Sequence, residues 1–270
     1  MHKQLENLLK AEIDPGFVKR AEFIFEIIEK RKPLRILDVG CGRGFYLKAL
    51  SLYSFPKEIH GVDVEDSYLA LAKRLCSDKR VKIKKANIYD LPYPSNYFDF
   101  AICTEVLDHL THDLKGLSEL HRVLKKNGIL LVTVPNRNFP FLWDPLNWIL
   151  MRFFTTHINK DIWWLAGIWA DHQRLYEEGG VAQLARKVGF ELIAVKRAIT
   201  YCLPFSHFLI YGLGKNLVER FKLYELSRFG QRRNILAYVI AYFSQLPSRF
   251  DPRNSTSTSS TNLMFRLKKA

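Results

Sequence analysis

The chain is poor in several features that would each point elsewhere. It has four cysteines in 270 residues, Cys41, Cys76, Cys103 and Cys202, and no two stand at the spacing of a zinc pair or a thioredoxin motif. A disulfide framework is therefore not expected, and reduced thiols in a cytoplasmic protein are the simplest reading. No apolar stretch reaches the roughly 20 residues that a membrane span needs. The longest uncharged run, 199–214, is interrupted by Pro204, His207 and two glycines. The N-terminus is charged and lacks the apolar core of a signal peptide, so secretion is not expected. No internal repeat is present. Acidic residues are also in short supply, 27 against 41 Lys and Arg, for a net charge of +14. From residue 201 onward eleven basic residues stand against three acidic ones. Such an excess suits an anionic partner, lipid or nucleic acid, although charge also serves solubility and says nothing about fold.

What is present is an alternation of short branched-apolar runs with segments of helical period. Phe17, Ala21, Ile24, Phe25 and Ile28 fall on one helical face and Pro33 closes the segment. Leu34–Val39 reads as a buried strand that runs straight into glycines. Strands are then expected at 59–64, 81–85, 98–103, 129–134 and 190–198, with helices at 67–75, 113–126 and 177–188. The second of these puts Leu114, Leu117, Leu120 and Leu124 inward and ends at Asn127-Gly128. A last edge strand is expected at 263–267. The expectation is an α/β fold, a doubly wound, mostly parallel seven-strand sheet of Rossmann-like type with helical insertions. Its parts would be an N-terminal helical segment (1–33), a core (34–137), an aromatic insertion (138–171), a continuation of the core (172–198), a basic apolar insertion (199–254), and a linker with the last strand (255–270). Asp144-Pro145 suits a helix cap and first turn. The Ser/Thr-rich tract 254–262 has the composition of a flexible connector.

The sharpest signal is Asp38-Val39-Gly40-Cys41-Gly42-Arg43-Gly44 after a strand and before a helix. Glycines are needed where backbone turns sharply and a ligand approaches without a Cβ in the way. The spacing is G-x-G-x-G with a carboxylate two residues earlier, unlike the G-x-G-x-x-G of dinucleotide enzymes. A pyrophosphate would be repelled by that carboxylate, whereas an ammonium and a sulfonium would be attracted.

This segment resembles the first motif of class I methyltransferases, a strand followed by D/E-x-G-x-G-x-G. Gly61-Val62-Asp63 resembles the end of the family's second strand, and Asn87-Ile88 with Asp90-Leu91-Pro92-Tyr93-Pro94 resembles its turn beside the adenine, with Asn87 where Asp is usual. Tyr97-Phe98-Asp99-Phe100 and Leu124-Lys125-Lys126-Asn127-Gly128 continue the likeness. The detailed match runs over 34–137, and His172-Gln173-Arg174-Leu175-Tyr176 is similar to the later part of the small-molecule "type 11" group. The resemblance implies S-adenosylmethionine as cofactor. It implies binding at Asp38, Gly40, Gly42, Gly44, Asp63, Val64, Asn87, Ile88 and Glu105, with Asp63 accepting from both ribose hydroxyls and Val64 packing on the adenine.

Glu105-Val106-Leu107-Asp108-His109 resembles the E-x-x-E-H of quinone-pathway O-methyltransferases, whose residues bind a divalent cation. Residues at i, i+3 and i+4 share a helix face, but spacing alone supplies no full coordination shell, and no metal is expected. His109 and His172 are the candidate general bases, and His121 reads as structural. The acceptor is expected to be a small or lipid-like molecule methylated on oxygen, under an aromatic lid built from 138–171, with peripheral membrane contact through 199–254. Cys103-Thr104-Glu105 is not the Asn/Asp-Pro-Pro-aromatic turn of amino-group DNA methyltransferases, so nucleic acid is a disfavoured partner. Two alternatives stay open: an RNA methyltransferase, supported by charge, and a catalytically silent cofactor-binding relative. The oligomeric state is not legible.

Overall fold

The computed structural model describes residues 1–162, 165–170, 172–210, 235–251 and 257–270. Trp163 and Trp164, and residues 211–234 and 252–254 of the basic insertion, lie outside them. The strands are β1 (Arg35–Val39), β2 (Glu58–Asp63), β3 (Val81–Lys85), β4 (Phe98–Thr104), β5 (Leu124–Pro135), β6 (Phe190–Ala198) and β7 (Asn262–Lys269). They form one seven-stranded sheet in the order β3-β2-β1-β4-β5-β7-β6. β1 to β5 pair in parallel, and β7 runs antiparallel to both β5 and β6.

Strand side chains alternate between two apolar layers. Ile36, Ile59, Phe100, Ile102, Ile129, Leu131 and Met264 face one side, where α1 (Lys3–Lys10), α2 (Pro15–Arg31) and α3 (Phe45–Ser51) pack. Leu37, Val39, Val62, Ala101, Leu130, Val132 and Phe265 face the other, against Leu117 and Leu120 of α5 (Asp113–Val123) and Val181 and Ala185 of α7 (Glu178–Val188). Central strands covered on both faces read as continuous apolar runs, which is why β1 and β4 were legible. A fourth helix on this frame is α4 (Asp66–Leu75). α2 starts where Asp14 Oδ1 accepts from Phe17 N at 3.1 Å and Pro15 occupies the first turn. α6 (Pro145–Phe153) starts in the same way, with Asp144 Oδ1 accepting from Asn147 N at 3.2 Å.

Three expectations are corrected. α5 ends at Val123, not Lys126, because Lys269 Nζ reaches across from β7 and donates to His121 O and Leu124 O at 2.7 and 2.8 Å, satisfying carbonyls at the helix end. Asn127-Gly128 instead sits inside β5, where Asn127 has φ +61° and the pairing with β4 shifts register between Phe98 and Phe100. Leu114 is correspondingly exposed. β7 is an interior strand, paired along its length with β5 and β6, and β6 is the edge. Its burial on both faces carries that signal, but its partners lie far away in sequence. The Ser/Thr tract is docked in its described part. Asn136 Nδ2 donates to Thr258 O and Ser260 Oγ, both at 3.0 Å, and Ser260 and Thr261 are buried.

Gly40 has φ +70°, and a Cβ there would lie 2.3 Å from Val106 Cγ2. Gly40→Ala should lower stability by about 1–3 kcal/mol, through overpacking and left-handed strain. Urea denaturation checks this, and an unchanged midpoint would show that Val106 yields without cost.

Candidate functional site

The first-motif residues gather at the carboxyl ends of β1, β2 and β4, beside the point where strand order reverses between β1 and β4. In open α/β sheets this crevice is where ligands bind. Val39 pairs with Val62 on one side and with Cys103 on the other. The chain then turns, with Gly40 N and Cys41 N both donating to Val62 O at 2.9 and 3.0 Å. Gly42 N donates to Asp63 Oδ2 at 2.8 Å, and Gly44, at φ +86°, caps α3. Gly42 has φ +50° and nothing within 4 Å of where its Cβ would stand. That is open space bordered by backbone, the cradle a ligand needs.

Asp38 is fully buried, and neither carboxylate oxygen has a hydrogen-bond partner among the described residues. Burial, and secondarily the charge of Asp63, pushes its carboxyl up to about 8. A buried carboxyl without a partner is costly, and a cationic group is what it lacks. Asp63 is half-buried; its Oδ1 accepts from Glu65 N at 3.0 Å, and each oxygen retains a lone pair. Val64 is 58% exposed and available as a platform. Asn87 Oδ1 accepts from Tyr89 N at 3.0 Å, Ile88 is buried beside it, and Ala86 N donates to Asp63 O. The following turn is held by α5, a role sequence reasoning missed. Glu119 Oε1 accepts from Leu91 N at 2.8 Å, while Arg122 donates to Leu91 O and Tyr93 O at 3.0 and 2.8 Å.

Glu105 stands apart from Asp108 and His109. Residues Leu107–His109 form a short 3-10 turn, and Glu105 lies before it at φ +52°, so the expected shared helix face does not exist. Its Oε1 accepts from Thr133 Oγ1 at 2.6 Å and its Oε2 from Asn262 Nδ2 at 2.8 Å, with Arg20 Nη1 3.9 Å away. The third member of the cluster is instead His172. Its Nε2 lies 3.1 Å from Asp108 Oδ2, and His109 Nε2 approaches the same oxygen at 3.3 Å. His172 Nδ1 lies 2.5 Å from Ile168 O and donates to it. Ligand atoms of Asp108, His109 and His172 all fall within 4.8 Å of one another, a grouping that would also admit a cation. Burial raises the Asp108 carboxyl to about 6, with Glu105 adding to the rise and both imidazoles opposing it. The His-x-Arg-x-Tyr spacing explains the assembly. Gln173 N donates to Asp108 O, Arg174 Nη1 pairs with Asp113 at 2.6 Å, and Tyr176 OH reaches Asp113 at 2.9 Å. His121 rests its ring edge-on against Phe190, as a structural residue would.

Residues 37–132 match the family described as methyltransferase domain. A Mycobacterium tuberculosis protein named "Probable S-adenosylmethionine-dependent methyltransferase" is 28% identical over 56% of this chain and 53% of its own length. The ubiquinone/menaquinone biosynthesis C-methyltransferase UbiE of Paraburkholderia phytofirmans is 30% identical over 60% of this chain and 65% of its own. Among solved structures, the [4+2]-cyclase SpnF is similar with a TM-score of 0.56 and 18% identity, covering 96% of this chain and 85% of that one. The last likeness shows the fold alone. The chain spans about half the length of several curated relatives that it matches.

Two outcomes follow from the domain's glycine turn and its buried acid. Gly42→Val should lose cofactor binding and, at φ +50°, some stability through left-handed strain, although its Cβ meets no atom of the described residues; calorimetry showing normal binding by the folded variant would remove the cradle from the site. Asp38 holds its proton in the native state up to about pH 8 but ionises near 3.8 when unfolded. The native state therefore binds more protons between those values, and the free protein should lose stability as pH rises through them, by up to about 1.4 kcal/mol per unit. Asp38→Asn should abolish that difference; identical pH profiles for the two proteins would contradict it.

Proposed function

We propose that the chain is an S-adenosylmethionine-dependent methyltransferase acting on a small or lipid-like acceptor, with oxygen as the receiving atom. The observation that carries this reading is the unpartnered Asp38 carboxyl beside the open space at Gly42. The residues present fit the cofactor: Asp38 would hold its ammonium, Gly40 to Gly44 its amino-acid part, Asp63 its ribose hydroxyls, Val64 and Ile88 its adenine, and Asn87 the adenine edge. Glu105 would act at one remove, by fixing the end of β4 against Thr133 and Asn262. The cofactor supplies an electrophilic methyl group on a sulfonium. Everything else falls to this chain: positioning, exclusion of water and removal of a proton.

The proton-handling group is the Asp108–His109–His172 cluster. His172 spends Nδ1 on Ile168 O and directs Nε2 at Asp108, which orients it. His109, with its side chain 41% exposed and its Nε2 turned to Asp108, is the imidazole that would receive the acceptor's proton. UbiE is named a C-methyltransferase, and carbon is the second reading for the acceptor atom. Methylation on the carbon of a phenol or enol also begins by ionising its hydroxyl, so the same cluster would serve. Peripheral membrane contact accompanies a lipid-like acceptor.

S-adenosylmethionine and S-adenosylhomocysteine should bind, and NAD should not. Asp63→Ala should weaken binding by about 1.5–3 kcal/mol, the worth of hydrogen bonds to a charged group; unchanged affinity by calorimetry would sink the assignment. Because the cofactor's ammonium favours ionised Asp38, binding near pH 7 should release close to one proton. Titration in buffers of different ionisation enthalpy reads that number, and Asp38→Asn should remove it.

A further inference from the structure

Most of the large apolar side chains exposed among the described residues lie in two segments, 141–162 and 201–250. The clearest is α6, whose amphipathicity is reversed for a helix on a protein surface. Leu146, Ile149 and Phe153, at helical spacing, are 40, 38 and 71% exposed, and Phe154 follows at 65%. The opposite face carries the anchoring. Asn147 is fully buried, its amide donating to Asp144 Oδ2 and Ala166 O at 2.8 and 2.9 Å and its Oδ1 accepting from Ile158 N, while Trp148 and Met151 pack on the core. The helix is thus pinned by polar bonds with its apolar ridge held outward. Phe205 N donates to Leu142 O at 2.8 Å, so exposed Leu142, Leu203 and Phe205 extend the same surface.

We propose that this surface, α6 with the segment 201–205, docks the protein on an anionic lipid bilayer. Residues 145–154 and 199–210 contain no acidic side chain, and Arg152 is the one Lys or Arg among them. Nine residues of α6 extend about 13.5 Å, too short to cross a bilayer and suited to lying in its interface. No described helix is long and apolar enough to span a membrane. The charge selects the occupant. Residues 199–254 carry eight Lys and Arg against three acidic groups. A second copy would bring two net charges of +14 together, whereas anionic headgroups attract a chain of that charge. The surface shares no residue with the cofactor set, so it stands or falls apart from the methyl-transfer reading.

The test is co-sedimentation of the full-length protein with phosphatidylcholine vesicles with and without phosphatidylglycerol. Anionic vesicles should capture it at low salt and release it at high salt. The Phe153→Ser/Phe154→Ser variant should lose capture by about tenfold or more while binding S-adenosylmethionine as before, which shows that it is folded. If that pair disturbs folding, Leu203→Ser/Phe205→Ser provides the same readout from the other segment. Capture equal with both lipids, equal capture of the variants, or an apolar-surface dimer by light scattering that the variants dissolve would each overturn the proposal.

Discussion

Asp38 is a carboxyl group in the parallel part of the sheet with no hydrogen bond to either oxygen among the described residues, and the surrounding site is arranged about that cost. Burying such a group without a partner costs on the order of 2–7 kcal/mol by transfer from water. The fold bears it where strand order reverses, with Gly61 and Ile102 paired beside it and the glycine turn just after. Protonation relieves the free protein. A cationic ligand would relieve it further. A cost that a ligand removes becomes affinity and selectivity, because a neutral or anionic molecule in the same place relieves nothing.

Two further polar clusters carry strain of a similar kind and divide the work. Around Glu105, a left-handed backbone is held by Thr133, Asn262 and Arg20, tying β4, β5, β7 and α2 together at one point. Strained conformations of this sort persist only when their surroundings over-determine them. Around Asp108, two imidazoles meet one carboxylate oxygen. The first cluster fixes the end of β4, and the second, three residues on, gathers one buried carboxyl and two imidazoles. Placing them on one short connection gives the second cluster a rigid support.

The insertion 138–171 divides along its aromatic residues. Phe139 and Trp143 are buried with the core, while Phe141, Phe153 and Phe154 are exposed. One set of rings therefore anchors the insertion and another faces outward. Its last turn returns to the domain through Ile168, whose carbonyl fixes His172. The segment that would cover an acceptor and the segment that orients His172 are one piece of chain.

The sequence by itself determined the parts whose causes are local. A run of branched residues ending in G-x-G-x-G specifies a buried strand and an open turn, and Asp before Pro specifies where α2 and α6 begin, because these depend on neighbours a few residues away. Asp63, at the end of its own apolar strand, was legible for the same reason. Tertiary structure decided what depends on distant partners. Lys269 ends α5 from 146 residues away by satisfying its carbonyls, so the Asn127-Gly128 pair was misleading as a stop signal. β7 became an interior strand because β5 and β6 offered it two hydrogen-bonding edges, which no composition reveals. The choice of His172 over Glu105 as the neighbour of Asp108 followed from backbone geometry: a left-handed Glu105 and a 3-10 turn replaced the helix face that would have brought three sequential side chains together, and a histidine 63 residues further on filled the space.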